Sequence, residues 1–458
     1  MNRWAEIEFG GAKLGDPRRT RRLIEIASAR AQRPSASLPQ SFEDKAGLKG
    51  MYEFCDNEQV RREAILASHY QATEERMGKE RIVLAVQDTT EVDFTHHPAT
   101  QGLGVLHDEK HQGFLLHTTL AVTPSRLALG LMDQQILYRD VEDFGKKHRR
   151  RQRLIEEKES RKWLEGLRAT AHLQTHCPQS RLVSVGDREA DVYDPLVLSD
   201  ELKRDVLVRA AWNRRVEHEE SYLWDHLEDQ PLAGTLEIAV PRRGHAPART
   251  ATCAVRFAQI RLKPPRHRAK EHLPVISVYG VLVQEETPPR GVEGIEWLLL
   301  TTVPVLSFED ACERVQWYTC RWVIEIYHKV LKSGCKIEER QFETAARLER
   351  YLAIDSVVAW RVLGLTMQSR VTPKMRCEAF LEPEEWQALS CYVNQTLSPP
   401  PQPPTLKQAA VWIAQLGGFL NRKGDGNPGV TVMWRGFQRL YDIVAMWRIF
   451  NHANDRVN

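Results

Sequence analysis

The chain has 458 residues, with 64 Lys plus Arg against 61 Asp plus Glu and a formal net charge of +3. So even a balance excludes a polybasic tail protein or an acidic solvating chain. The 42% hydrophobic share supplies enough apolar surface for packed cores, so a wholly disordered chain is also excluded. The length predicts two or three domains. No stretch reaches the roughly 18 apolar residues of a membrane span. The opening Met1–Gly11 has no apolar region of the secretory type, so a soluble intracellular protein is expected.

Residues 1–70 read as helical. Arg22–Ala27 and Ala46–Phe54 mix apolar and charged positions at helical spacing, while Arg33–Ser37 is loop chemistry. Strands are predicted at Ile82–Val86, Phe114–Val122 and Leu127–Ile136, then a helix at about 150–175. A second apolar run, Leu182–Val185, ends at Gly186-Asp187. Short apolar runs bounded by polar signals suit strands buried on both faces. Residues 205–305 are strand-rich and punctuated by prolines. Within Cys253–Leu262 the apolar positions change from odd to even numbers near Ala258-Gln259, which predicts a bulge or turn. It also predicts one apolar face and one basic face carrying Arg256, Arg261 and Lys263. Beyond Leu306 the pattern is helical, interrupted by an extended linker at Ser398–Pro404.

Charge is unevenly placed along the chain. Residues 1–40 hold Arg3, Lys13, Arg18, Arg19, Arg21, Arg22, Arg30 and Arg33 against four acids. Lys146–Arg153 is almost wholly basic, and Ile238–Lys270 carries no acid at all. Such blocks in a balanced chain point to local polyanion contacts or to solvated faces. The eight cysteines have no C-x-x-C spacing, so they read as small buried apolar residues rather than a zinc site.

Asp88 and Asp187 each close a buried strand, where α/β sheets place ligand-binding groups. Tyr318, Arg321, Glu325 and Lys332 follow at spacings of 3, 4 and 7. At about 100° per residue they fall within a stripe roughly 60° wide on a single predicted helix. Two strand-end carboxylates and a helix carboxylate suit two hard divalent cations acting on a phosphodiester. Arg321 and Lys332 could then grip phosphates, and Tyr318 could add a hydrogen bond.

The segment Tyr318–Lys332 reads Y-x2-R-x3-E-x6-K. With it this sequence resembles the DDE transposases of bacterial insertion sequences, in the cut-and-paste group that includes the transposase of the composite kanamycin-resistance transposon. The likeness extends nearly end to end, through Leu14–Arg19, Gln87–Thr90, Glu157–Ser160, Gly186–Asp191, Trp297–Thr301 and Leu416–Phe419. It implies a mixed α/β protein with a ribonuclease-H-like, retroviral-integrase-like catalytic core at 71–200 and 301–370. A β-rich insertion at 201–300 would interrupt the core. A helical DNA-end-binding domain at 1–70 and a helical domain with dimer contacts at 371–458 would flank it.

The resemblance implies catalytic and metal-binding roles for Asp88, Asp187 and Glu325, with Mg²⁺ as cofactor and Mn²⁺ able to substitute. It implies DNA contacts from Tyr318, Arg321, Lys332, Arg188, Arg209, Arg18, Arg19 and Arg22, and Trp297 as the aromatic that receives an extruded base. The partners would be double-stranded transposon ends, target DNA and a second copy of the chain, in the bacterial cytoplasm at the nucleoid. A two-metal nuclease without joining activity, or an inactive DNA-binding inhibitor derived from a transposase, would share many of these features. Other motifs carry less. His107 and His111 lack the adjacent Glu of a zinc-protease helix, and His96, His97 and His117 read as loop or core residues. Neither a P-loop nor G-x-S-x-G occurs.

Overall fold

A computed structural model describes residues 3–140, 159–217, 221–240 and 248–454. The chain forms two compact units that do not follow sequence order. The first comprises Met1–Met77, Thr89–Lys146 and Val323–Asn458, and the second comprises Gly78–Asp88 and Lys147–Trp322. The basic run Lys146–Arg153 lies outside the described residues, as does part of the stretch Ile238–Lys270.

The first unit opens with helices Arg3–Phe9 (α1), Pro17–Gln32 (α2), Leu38–Ser41 (α3), Lys45–Asp56 (α4) and Arg62–Met77 (α5). Asp16 starts α2 by accepting the Arg18 N–H, with Pro17 at the first helical position, where its missing N–H is harmless. Strand Ile82–Asp93 (β1) is shared between the units, its residues from Thr89 onward belonging here. Gly104–Val105 (β2), Gln112–Val122 (β3) and Ala128–Leu137 (β4) follow, β3 pairing antiparallel with both β2 and β4. His117 in β3 is fully buried and hydrogen-bonded to the Thr89 hydroxyl, as expected of a core histidine.

The helical tail of this unit is Trp322–Lys329 (α10) from Val323 onward, Ala345–Val371 (α11), Pro383–Asn394 (α12), Leu406–Leu416 (α13) and Val430–Asn454 (α14). Its predecessor in the chain, Phe308–Thr319 (α9), belongs to the second unit. Helix α11 is apolar and buried nearly all round, and α2, α4, α5, β4, α13 and α14 pack on it. A helix buried on every side is a core helix. Among the described residues no helix is long and apolar enough to cross a membrane.

The second unit is built on a mixed sheet. Its strands are the start of β1, then Arg181–Gly186 (β5), Asp205–Arg209 (β6), Gly234–Val240 (β7), Arg249–Leu262 (β8), Ile276–Glu285 (β9) and Glu296–Thr301 (β10). The order is β1-β5-β6-β10-β9-β8-β7, with β1, β5 and β6 parallel and the rest antiparallel. Helices Arg161–His176 (α6), Tyr193–Leu202 (α7) and Leu223–Glu228 (α8) cover one face. There Trp163, Leu167, Tyr193, Leu196, Leu223 and Leu227 pack with Ile260, Leu262, Leu298 and Leu300.

Two expectations about local structure are corrected. Strand β8 runs without a bulge, since its register with β9 is unbroken from Cys253↔Glu285 to Leu262↔Ile276. Its burial changes parity because different layers cover its two ends. Ile260 and Leu262 face α7 and α8, while Val255 must point to the other face, against which α9 lies. Arg256 and Arg261 therefore sit on opposite faces, and β8 has no single basic side. Likewise, Tyr318 to Lys332 is not one helix. Helix α9 stops at Thr319, a tight turn runs through Cys320 and Arg321, α10 follows, and Val330–Gly334 is a π-helical turn. Such π-turns often mark functional positions in helices.

Candidate phosphoryl-transfer site

The parallel strands of the second unit explain how residues distant in sequence meet. Strand β1 pairs with β5 through Val86↔Val185, and β5 pairs with β6 through Val185↔Leu207 and Gly186↔Val208. Two residues past the first of these pairs, the same register aligns Asp88, Asp187 and Arg209. Asp187 and Arg209 stand at the carboxyl ends of β5 and β6, and Asp88 lies beside them within β1, which runs on to Asp93; neighbouring strands are roughly 4.8 Å apart. This row of two carboxylates and a guanidinium is a consequence of register alone.

Local chemistry fixes each member. Asp187 leaves the strand after Gly186, where an added Cβ would meet Ala190 at 2.4 Å. Its carboxylate accepts the Glu189 N–H at 2.8 Å and caps the 3-10 turn Arg188–Ala190. Lys162, buried on α6, ties Glu189 down at 2.6 Å. Asp88 and Asp187 are both half-buried. Oxygen-only donors at a sheet edge fit Mg²⁺ or Mn²⁺ rather than a thiolate- or imidazole-seeking metal.

Beside this row stands an aromatic and cationic group. Arg209 donates to the Glu296 carbonyl at 2.7 Å. Strand β10 runs antiparallel to β6 through Leu299↔Arg209, which brings Trp297 to the same sheet edge. The Trp297 ring lies 5.3 Å from that of Tyr318 in an edge-to-face contact. Burial pushes the Arg209 pKa down. The nearby Arg188 and Arg321 push the same way, and the Tyr318 hydroxyl opposes them. Arg321 is nearly buried, with its guanidinium 5.4 Å from the Trp322 ring centre. Arg209 thus has two cationic neighbours beside the aromatic pair.

Glu325 and Lys332 lie in the first unit. Glu325 is half-buried in the first turn of α10. Lys332 sits in the π-turn, where its ammonium donates to the Glu91 carbonyl at 2.9 Å and pairs with Glu338 at 3.0 Å. Glu338 also accepts the Asp93 N–H at 3.0 Å, so it ties the end of β1 to the segment after the π-turn.

The N-terminal arginines differ in role. Arg18 is fully accessible apart from its pairing with Asp16 at 2.8 Å, and Arg22 pairs with Glu25 at 2.9 Å. Arg19 instead holds the Leu14 carbonyl at 2.9 Å and reaches Gln59.

Residue-type reasoning missed Glu91, Glu338 and Asp191. Asp191 is buried and accepts the N–H groups of Ala211 and Trp212 and the Arg214 guanidinium, which leaves the Trp212 indole 65% exposed. Asp191 closes the Gly186–Asp191 segment, but a buried anchor and a catalytic carboxylate look alike in sequence.

Two family models match the chain. Residues 1–60 match one described as Transposase DNA-binding, and residues 357–452 match one described as Transposase Tn5 dimerisation domain. With a mixed α/β sheet between helical ends, these matches at the two ends of the chain support a Tn5-like DNA transposase.

Proposed function

We propose that this chain is a DDE cut-and-paste transposase that acts on DNA as a homodimer. The observation that carries the reading is the register row Asp88–Asp187–Arg209 beside the Trp297–Tyr318 pair. The two family matches add a DNA-binding segment and a dimerisation segment. Oxygen donors on a ribonuclease-H-like core would be Asp88, Asp187 and Glu325. When bound there, Mg²⁺ or Mn²⁺ would activate the attacking oxygen and offset charge on the reacting phosphate.

The remaining work falls to this chain's own side chains. Arg188, Arg209 and Arg321 bind the non-bridging phosphate oxygens and orient the phosphodiester for in-line attack. The Tyr318 hydroxyl adds a hydrogen bond to the same phosphate. Each step exchanges one P–O bond for another. Water releases a 3′-hydroxyl at the transposon end, and that hydroxyl attacks the opposite strand to give a hairpin. A second water opens the hairpin, and the 3′-end joins target DNA. A hairpin requires a base to leave the stack. Trp297 is half-buried and would receive it, with stacking contributing about 1–3 kcal/mol. Lys332 would leave Glu338 to meet a phosphate, and Arg18 and Arg22 would serve the transposon end, whereas Arg19, expected from the resemblance to do the same, is held by the Leu14 carbonyl and Gln59 and would keep the loop before α2 in place.

The test compares Asp187→Asn with the natural chain on DNA carrying the inverted-repeat end. The variant is expected to retain end binding and to lose Mg²⁺-dependent nicking. Nicking at the natural rate by Asp187→Asn overturns the assignment. A donor–target joining assay separates transposase from nuclease, because only a transposase yields recombinant product.

A further inference from the structure

The turn between β2 and β3 in the first unit gathers donors that the reaction above does not use. The His107 and His111 rings meet with centroids 4.0 Å apart. Asp108 accepts the Lys110 and His111 N–H groups at 2.8 and 3.1 Å, so its carboxylate fixes the turn. The same carboxylate lies 2.6 Å from the His111 Nδ1, which fixes the orientation of that ring. One ligand atom from each of His107, Asp108 and His111 falls within 4.8 Å of the others. From β1, the Glu91 carboxylate comes 3.8 Å from the His107 Nδ1. All four side chains are about one-third to one-half exposed, so an ion can reach them without opening the fold.

Two imidazoles with two carboxylates form a borderline-to-hard donor set, in which the two nitrogens favour zinc-class ions over Mg²⁺. A carboxylate hydrogen-bonded to one nitrogen of a ligating imidazole is the usual supporting arrangement for such an ion. The spacing that excludes a zinc-protease helix does not exclude this, because the residues form a turn and need supply no general base.

We propose that His107, Asp108, His111 and Glu91 bind one zinc-class divalent cation that serves a structural role. Glu91 gives the site its consequence. Its carboxylate also pairs with Arg139 at 3.5 Å, and its main-chain carbonyl accepts from Lys332. A bound cation would pin the end of β1 to the turn before β3, and so steady the strand on which Lys332 rests.

The experiment uses the full-length, tag-free protein, stripped with a chelator and titrated with Co²⁺ and then Zn²⁺ in excess Mg²⁺. Binding of one equivalent is expected, with the visible absorption of low-symmetry cobalt. The double variant His107→Ala/His111→Ala should bind at least about tenfold more weakly. Its metal-free circular dichroism and melting should stay unchanged, since these residues lie at the surface. A control is a second close histidine pair, His172 and His176 on α6, whose rings meet at 4.7 Å. Replacing that pair with Ala should leave binding intact. Absence of Co²⁺ binding in the natural chain overturns the proposal. So does binding that survives loss of His107 and His111, or that disappears with His172 and His176.

Discussion

Arg30 stands among the basic residues of the N-terminal block, yet it is fully buried and contacts no solvent. It donates to both carboxylate oxygens of Asp355 at 3.0 and 3.3 Å, to the Ser41 hydroxyl, and to the carbonyls of Arg33, Pro34 and Ala36. Asp355 is equally buried. Removing one partner of such a pair strands the other charge, so Asp355→Ala should destabilise the first unit by about 3–5 kcal/mol in urea unfolding. A loss below about 1 kcal/mol would mean that water replaces the carboxylate. His328 gives a second prediction at this scale. Burial, with help from Lys332, pushes its pKa down to about 3 from an ordinary value of 6.5. Between those values the unfolded chain takes up a proton that the folded chain refuses. Stability should therefore be unaffected by this group above pH 6.5 and fall as pH drops below it, by up to about 1.4 kcal/mol per pH unit. His69, also buried with its pKa lowered by desolvation, acts in the same direction. The measurement is the urea midpoint against pH for the natural chain and for His328→Gln. The variant should have the flatter acid limb, and parallel limbs would remove His328 as a cause.

At the scale of elements, α13 and α14 cross with their backbones in contact. A Cβ on Gly417 would lie 1.8 Å from the Val432 carbonyl oxygen, and one on Gly436 would lie 1.9 Å from that of Ile413. Neither oxygen is the end of a flexible side chain, so Gly436→Ala must part the helices, at a cost of about 1–3 kcal/mol. Gly429 has open space around its missing Cβ, so Gly429→Ala should leave the urea midpoint unchanged. Equal effects of the two substitutions would contradict a backbone crossing. The existence of these helices was legible in the sequence, because apolar periodicity over 406–416 and 432–450 is a local signal, and so were the buried strands β1 and β5. What failed was whatever depends on neighbours. The parity change in β8 looked like a bulge because sequence does not reveal which helix covers which end. The Tyr318–Lys332 stripe looked continuous because a tight turn at Cys320-Arg321 preserves a nearly helical spacing. The candidate site divides in the same way. Asp187 was legible as a strand-end carboxylate, whereas β1 runs on past Asp88 to Asp93, because its second half leaves β5 and continues in the first unit; that both lie near Arg209 follows from strand register, which no local pattern encodes. Glu338, which holds Lys332, carried no motif at all.

Across the whole molecule, a net charge of +3 on 458 residues gives little long-range attraction to a polyanion. Any strong dependence of DNA binding on salt must therefore arise from cations that meet phosphates directly. Each phosphate neutralised on duplex DNA lowers the slope of log K against log salt by about 0.9. Arg188 and Arg321 disfavour the charge on Arg209, and a phosphate bound beside them would favour it. Arg18 stands at the surface with its side chain 88% exposed, whereas Arg19 is spent on the Leu14 carbonyl and Gln59. The expectation is a steep salt slope for the natural chain. Arg18→Ala and Arg188→Ala should each make it shallower by about 1, with no loss of thermal stability. Arg19→Ala should instead lower the melting point, because it frees the loop before α2. Measuring end-DNA affinity from about 50 to 200 mM salt, alongside melting curves, separates the two kinds of arginine. A flat slope in the natural chain would mean that near-neutrality holds locally as well as in total, and that these arginines are solvated surface.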